Sequence, residues 1–485
     1  MQDTKYQPSF MQSLVTFAAI VCVIGTGLFY LQVSLHSLML ICLLIAGLSA
    51  WRLSNDGFAS IRRAMNSGIN SALSAIYIFI LIGVLIAAFI QSGTVAALIY
   101  YGLEFVSPAI FLPAGLILCS FMSVATGTSW GTVGTAGVVL MGIGELMGIP
   151  LPIVAGVVIS GACFGDKMSP VSDTTNLAAM SSGTDLYSHI KSMLFTTGPA
   201  YIICLVVFSV MGMSYAQNSL PQEQLAQMLT GINSTYSINL LCLLPFVVML
   251  ILSLKKVSAE VAMFAAASVA VLLAVVMQGA SFSTVLSALY GGGSFETGVD
   301  TLDQLFSRGG IASMMWTLSL ALMALALGGI LTGFGFLRTL IAGILVKVKR
   351  GASLVAATIA ACFLGNMTMG EAYMSIILGG QLFGDAYDKA QLDRSVMSRS
   401  LEEGATLTTA LIPWTTGGAF FATTLGVSVL DYAPWALLNW INPILSIVFA
   451  YLGIALFKAA KTSTDAVNTQ QKPQSSESVT TGVQA

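Results

Sequence analysis

Apolar runs about as long as a lipid bilayer is thick recur along most of this chain, and they leave few folds open to it. A spanning helix needs about 20 mostly apolar residues. Long candidates lie near 11–31, 36–51, 72–92, 193–213, 238–254, 258–278, 312–333 and 435–457. Shorter or interrupted apolar segments stand between them, at 108–125, 131–147, 152–164, 352–368, 371–384 and 405–430. Only 8% of the 485 residues are charged, whereas soluble domains carry about 25%. That shortage runs from residue 11 to residue 457, so the chain is not a soluble domain on a single anchor. The expected class is an all-α polytopic membrane protein with about ten to twelve full spans plus re-entrant pieces.

Several function classes drop out. A net charge of −2 leaves no electrostatic footprint for nucleic acid. Gly291-Gly292-Gly293 is not followed by the Gly-Lys-Ser/Thr of a phosphate loop, which argues against an ATP-driven pump. The seven cysteines stand singly in apolar runs without a C-x-x-C pair, so neither a zinc site nor a disulfide framework is expected. No cofactor is expected beyond the transported ions. The first apolar run lacks a small-residue cleavage site and reads as a retained span. From Thr462 the chain is polar and rich in Ser, Thr and Gln, the composition of a disordered tail.

Lysine and arginine set orientation. Arg52, Arg62 and Arg63 fall in one connection, Lys255 and Lys256 in a second, Lys347, Lys349 and Arg350 in a third, Lys389, Arg394 and Arg399 in a fourth, and Lys458 and Lys461 follow the last span. These positions are expected in the cytoplasm. The connections 93–107, 214–236 and 279–307 are assigned outside, which puts both termini in the cytoplasm.

A weak internal repeat divides the chain. Residues 61–93, ending in Ser92-Gly93, resemble 302–333, ending in Thr332-Gly333. Thr126 to Trp130 takes the place of Gly365 to Met369, and Asp173 to Asn176 roughly that of Thr406 to Ala410. Opposite charge sidedness around the two copies makes the repeat an inverted one, an architecture of secondary transporters. The organisation read from this is 1–56 N-terminal spans, 57–215 first inverted repeat, 216–295 linking spans, 296–457 second inverted repeat and 458–485 tail.

Three polar interruptions carry the chemistry. Thr126-Gly127-Thr128-Ser129-Trp130-Gly131-Thr132 loosens a helix and crowds it with hydroxyls. Freed carbonyls and hydroxyls suit a hard cation, which takes oxygen ligands; small-residue helix packing is the blander reading. Gly165-Asp166-Lys167-Met168-Ser169-Pro170 leads into Ser172-Asp173-Thr174-Thr175-Asn176. A charge at bilayer depth costs about 2.5–3.5 kcal/mol on insertion scales, so it persists where it is paired or functional. Lys167 reads either as a loop residue or as the partner of Asp166. The second-half counterpart is Asn366, Thr368 and Glu371, followed by Glu402-Glu403 and by Pro413 to Gly418. Glu371 stands alone in an apolar stretch. Glu402 and Glu403 read either as part of the site or as a solvated loop end paired with Arg399. His36 and His189 sit near segment ends, where packing is the plainer role.

The block from Thr126 to Ile190, with GTSWGT and GDKMSPVSDTTN inside it, resembles the NhaC family of sodium/proton antiporters. More loosely, the resemblance covers about 60–455. It implies a bacterial inner-membrane carrier of the wider ion-transporter superfamily, with re-entrant hairpins meeting near the midplane and a mobile domain sliding against a scaffold. The family includes sodium/proton antiporters, a member exchanging malate with lactate, and members suspected of carrying amino acids. Thr128, Ser129, Asp166, Asp173, Thr174, Thr175 and Asn176 stand in the matching block; Asn366, Thr368 and Glu371 rest on the repeat.

The expected function is exchange of sodium for protons across the cytoplasmic membrane. Asp173 and Glu371 are the carboxylates over which the two ions compete, and Thr128 is a further metal ligand. Burial favours the protonated form of a carboxylate, which lets protons compete. The alternative is a sodium- or proton-coupled carrier of a small organic acid or amino acid. The expected partners are sodium, protons, the lipid bilayer and, under the alternative, that small molecule; a homodimer is compatible with this reading. An intramembrane aspartyl hydrolase, suggested by Phe164-Gly165-Asp166 and Phe383-Gly384-Asp385, is disfavoured because Asp385 lies in a charge-rich run that reads as a loop.

Overall fold

A computed structural model describes residues 7–459 apart from 55, 106, 217–221, 256, 296, 298, 300, 301, 304, 305, 346, 347 and 349. The polar tail from Thr462, together with Lys256, Lys347, Lys349 and Lys461, lies outside the described residues. The described chain is helical, with a single isolated bridge between Leu392 and Lys458.

Two helices lead in, α1 (Phe10–Phe29) and α2 (Leu35–Trp51). The first half continues with α3 (Phe58–Asn70), α4 (Leu73–Gln91), α5 (Thr94–Phe105), α6 (Pro108–Thr126), α7 (Ser129–Thr132), a π turn (Val133–Gly137), α8 (Val138–Leu146), α9 (Leu151–Met168), α10 (Asp173–Ser182) and α11 (Leu186–Ser214). Then come α12 (Gln222–Thr235), α13 (Leu244–Leu254), α14 (Ala259–Val276) and α15 (Phe282–Gly291). The second half runs α16 (Ile311–Gly333), α17 (Phe336–Leu345), α18 (Gly351–Met369), α19 (Ala372–Lys389), α20 (Arg394–Thr409), α21 (Thr416–Leu425), α22 (Val429–Tyr432) and α23 (Leu437–Tyr451).

Among the described residues, 6 helices are long and apolar enough to cross a membrane, or up to 8 if each pair bent at a short break is one span. Four shorter apolar helices, near 35–51, 260–276, 282–291 and 437–451, fall below that length. The ten to twelve spans expected from the sequence are therefore reached only with these shorter helices included. The stretches 93–107, 214–236 and 279–307 contain helices α5, α12 and α15 rather than plain loops. Absence of lysine and arginine reports sidedness, not conformation.

The two halves share their helix ends. α6 stops at Gly127 (φ 70°) and α18 at Gly370 (φ 69°), both left-handed, where a residue without Cβ is favoured. The next residues, Thr128 and Glu371, are extended N-caps with φ −147° and −148°. Ser172 caps α10 and Thr415 caps α21, and those helices end at left-handed Gly183 and Gly426. Each pair stands at the same separation along the chain. This register differs from the one read in sequence, which set Thr126–Trp130 against Gly365–Met369 and Asp173–Asn176 against Thr406–Ala410. Backbone geometry marks the correspondence, and the side chains at matched positions differ.

α20 changes the reading of three charges. Arg399, Glu402 and Glu403 all lie on this helix with no solvent exposure, not on a solvated loop. A helix continues through Asp385 to Lys389, where a loop was expected. Asp385 lines a surface cavity with Arg350 and Lys389, separate from the one holding Asp166.

Close crossings of small residues hold the helices together, as expected where lipid removes the hydrophobic drive between them. A Cβ on Gly68 of α3 would fall on the Leu325 carbonyl oxygen and on the Gly329 backbone of α16; one on Gly329 would fall on the Ala64 carbonyl. Gly68→Val is expected to cost about 1–3 kcal/mol through the forced separation of the two helices, read as a lower melting temperature in detergent.

Candidate functional site

Four helix starts converge. Thr128 precedes α7, its hydroxyl accepting the Gly131 amide at 3.4 Å. Ser172 precedes α10 and accepts the Thr175 amide at 3.4 Å. Glu371 precedes α19, its Oε1 accepting the amides of Ala372 at 2.9 Å and Tyr373 at 3.5 Å. Thr415 precedes α21 and accepts the Gly418 amide at 3.0 Å. Residues at all four starts line one cavity of about 460 Å³, which also holds Thr126, Asp166, Lys167 and Thr406. Its apolar wall includes Trp130, stacked on Phe420 at 4.6 Å between ring centres.

A charged network forms the floor of this cavity. Lys167 Nζ, 2% exposed at its side chain, lies 3.2 Å from Asp166 Oδ2 and 3.1 Å from Glu402 Oε1, and donates to Thr174 Oγ1 at 2.9 Å. Asp166 also accepts from Ser129 at 2.8 Å and from Ser172 at 2.6 Å. Glu402 Oε1 further accepts from Thr174 and Thr406, each at 3.1 Å. Lys167 is thus paired rather than solvated. Removing one member of such a set leaves a buried charge without compensation.

Asp173 and Glu371 come from different halves and meet through one residue. The Tyr373 hydroxyl donates to Asp173 Oδ2, while the Tyr373 amide donates to Glu371 Oε1. Glu371 is 3% exposed and accepts from Thr416 Oγ1 at 2.6 Å. Asp173 is exposed and lines the cavity. Both carboxylates sit at helix starts, where negative charge complements the macrodipole.

Of the residues singled out in the sequence, Thr128, Ser129, Asp166, Asp173, Thr174 and Glu371 line this cavity. The other four stand behind it. Thr175 donates to the Asp166 carbonyl at 3.2 Å. Asn176 donates to the carbonyls of Ser172 at 2.7 Å and Pro170 at 3.1 Å, bracing the turn before α10. Asn366, fully buried, donates to Ala405 O at 2.5 Å and Thr408 Oγ1 at 2.8 Å and accepts from Ser375 at 2.8 Å, joining α18 to α19 and α20. Thr368 bonds back to the Leu364 and Gly365 carbonyls of its own helix. Sequence reasoning missed Tyr373; its one local signal was its place two residues after Glu371. It also left open whether Glu402 belonged, and no local pattern ties that residue to Lys167.

Among the described residues no three His, Cys, Asp or Glu side chains group closely enough to hold a metal ion. A sodium ion draws on a different donor set, in which hydroxyl and carbonyl oxygens supplement one or two carboxylates. Thr126, Thr128, Thr409 and Thr416 put such oxygens along the cavity that Asp173 and Glu371 line.

Comparison with known proteins follows the same lines. The family model described as "Na+/H+ antiporter family" matches residues 161–454. The chain is 38% identical over 447 residues to the Na(+)/H(+) antiporter NhaC of Alkalihalophilus pseudofirmus, covering 92% of this chain and 96% of that one. It is 37% identical over 454 residues to the malate-2H(+)/Na(+)-lactate antiporter of Bacillus subtilis, covering 93% and 96%. It is 33% identical over 462 residues to the arginine/ornithine antiporter ArcD of Halobacterium salinarum, covering 94% of each.

Proposed function

Because this chain belongs to the Na+/H+ antiporter family, we propose that it is a secondary transporter exchanging cytoplasmic sodium for external protons, a carrier rather than an enzyme. One observation carries the reading. The cavity is lined by the carboxylates of Asp166, Asp173, Glu260 and Glu371 and by one described cationic residue, Lys167, which Asp166 and Glu402 already engage. The balance is acidic and favours cations.

In this mechanism sodium takes the Asp173 and Glu371 carboxylates together with the hydroxyls of Thr128 and Thr416. Protons occupy the same carboxylates when sodium leaves. Either occupant removes charge from the site, and a neutral site crosses a low-dielectric barrier at less cost than a charged one. The empty ionised site stays where it is, which couples the two fluxes. Tyr373 holds both carboxylates in one arrangement, so binding to one is felt by the other.

Sidedness follows from the basic residues. Ser71, Val257, Ser258 and Glu260 border the cavity and lie close in sequence to Arg62, Arg63 and Lys255. By the excess of Lys and Arg in cytoplasmic connections, this rim faces the cytoplasm of a bacterial inner membrane, and both termini lie on that side. At their far ends α8 and α21 meet Arg308, whose Nη2 stands 3.9 Å from Glu145 and whose Nη1 donates to the Leu425 carbonyl at 3.5 Å. These contacts tie the two helices together at that end.

The test is sodium-induced proton release in inverted membrane vesicles and in liposomes holding the purified protein. Release that saturates with sodium and needs no organic solute is the expected result; no release at any pH from 6 to 9 would defeat the reading. One observation favours a second reading. A cavity of about 460 Å³ exceeds what a bare cation fills, and the helix starts that line it favour a carboxylate through their dipoles. Sodium flux that appears only with a small organic acid or amino acid present would select coupled carriage of that solute.

A further inference from the structure

Behind the cavity, on the other side of α20, lies a second buried polar cluster that the exchange mechanism above does not use. Glu403 is fully buried there, between α11, α20 and α23. Its Oε1 accepts from Thr196 of α11 at 2.5 Å. Its Oε2 has no hydrogen-bond partner. Ser446 of α23 faces the carboxylate, yet its hydroxyl completes no hydrogen bond of good geometry. The ion pair with Arg399 is loose, with Nε 4.0 Å from Glu403 Oε1. Arg399 spends Nη1 elsewhere, on Ser192 and on the Ala455 carbonyl, while its Nε and Nη2 find no hydrogen-bond acceptor.

Charge balance makes this cluster more than packing. The charged groups that act on Glu403 directly are Arg399 and Glu402 on its own helix; Lys167 and Asp166 on α9 adjoin through Glu402, and His189 on α11 and Tyr387 on α19 through Arg399. α23 faces it with Ser446 and carries no charged residue. His189 is tied through Nδ1 to Ser398, and its Nε2 has no partner. Asp166, Glu402 and Glu403 set three carboxylates against the two cations Lys167 and Arg399. One buried negative charge is left over, and an uncompensated charge in this environment is expensive. A proton on Glu403 removes it.

We infer that Glu403 is a proton-binding site of the transporter, separate from the cavity carboxylates and coupled to them through Glu402 and Lys167. The surroundings fit either state of the group. With the proton on Oε2, Ser446 accepts it; without the proton, the same hydroxyl turns and donates, because a serine can do both. Adjacent Glu402 carries the coupling. When the cavity is empty, the proton balances the cluster. When a cation binds at Asp173 and Glu371, in the cavity that Asp166 and Lys167 also line, its charge does so, and the proton leaves Glu403.

This inference rests on sodium/proton exchange being the function, and the wild-type arm of the experiment tests that premise alone. Purified protein in liposomes is assayed for radioactive sodium/sodium exchange, which needs no proton, and for the pH difference that just halts net flux against a fixed sodium gradient, which gives protons per sodium. For wild type, a fixed non-zero ratio is expected; if no pH difference opposes the flux, the exchange reading fails first. For Glu403→Gln we expect sodium/sodium exchange to persist at saturating sodium, with a raised sodium requirement because the neutral amide mimics the protonated state, and a ratio smaller by one proton. An unchanged ratio would overturn the inference. So would loss of both exchange modes in a variant that melts like wild type, since Glu403 would then belong to the cation route. If Glu403→Gln does not fold, Thr196→Val with Ser446→Ala keeps the carboxylate and strips its hydroxyls. Its pH midpoint for exchange should move up by about one unit or more, as loss of the Thr196 hydrogen bond to the charged form implies; an unmoved midpoint would overturn the inference as well.

Discussion

Lys167→Met is expected to leave little folded protein. The lysine is 2% exposed at its side chain and stands 3.2 Å from Asp166 and 3.1 Å from Glu402. Breaking a buried pair by removing one partner costs about 3–5 kcal/mol, because the remaining charge is stranded. Two carboxylates lose their partner here, and Glu402, with no solvent exposure, has no water to replace it. Ordinary proteins hold only about 5–15 kcal/mol in reserve, so the change should appear as low yield and a broad melting transition in detergent. The double variant Lys167→Met with Glu402→Gln keeps the net charge of the floor unchanged and leaves Asp166 with its bonds from Ser129 and Ser172. It should recover much of the lost stability. If the single variant melts within a degree or two of wild type, the lysine is not part of a closed charge network. If the double variant is worse than the single, the coupling between Lys167 and Glu402 has been misread.

The contrast between Lys167 and Asp173 marks what was legible in the sequence. Membrane class, helical character and the places where helices break followed from apolar run length and from glycine and hydroxyl clusters, since bilayer thickness and backbone hydrogen bonding impose both. The polar runs at 126–130 and 166–174 accordingly do line one cavity. Side-chain direction was not legible. Asp173, Thr174, Thr175 and Asn176 read as one run of four oxygen-bearing side chains, but a helix turns each by about 100° from the last. Thr175 turns back onto the Asp166 carbonyl and Asn176 onto the carbonyls of Pro170 and Ser172, while Asp173 and Thr174 line the cavity. Contacts between distant segments were equally hidden. Nothing near Glu402 announces Lys167, and nothing near Glu403 announces Thr196 or Ser446. A run of polar residues on α20 looked like a loop for the same reason. α20 buries Val396, Met397, Leu401 and Ala405 in the core and turns its polar residues onto partners such as Thr196 and Lys167, which are distant in sequence and leave no local signal.

Asp173→Asn should abolish exchange while leaving the fold intact. Asp173 lines the cavity, accepts the Tyr373 hydroxyl and the Thr174 amide, and enters no salt bridge among the described residues. Asparagine preserves the shape and one acceptor oxygen for those donors, so the melting temperature should stay within a few degrees of wild type. What disappears is the charge. A unit charge about 4 Å from a cation contributes about 4 kcal/mol at an effective dielectric of about 20, which is close to a thousandfold in affinity. Sodium dependence should therefore move out of the measurable range, and sodium-induced proton release should vanish with it, because asparagine cannot carry the proton either. Asp173→Glu keeps the charge on a longer arm and should retain weak exchange with a raised sodium requirement. The outcome separates the two carboxylates of the site. If Asp173→Asn still exchanges sodium for protons at a normal rate, Glu371 alone holds the cation, and Asp173 serves only to orient Tyr373. Tyr373→Phe would then match it in effect. If exchange is lost in Asp173→Asn and kept in Tyr373→Phe, the carboxylate itself is the ligand, and the tyrosine positions it.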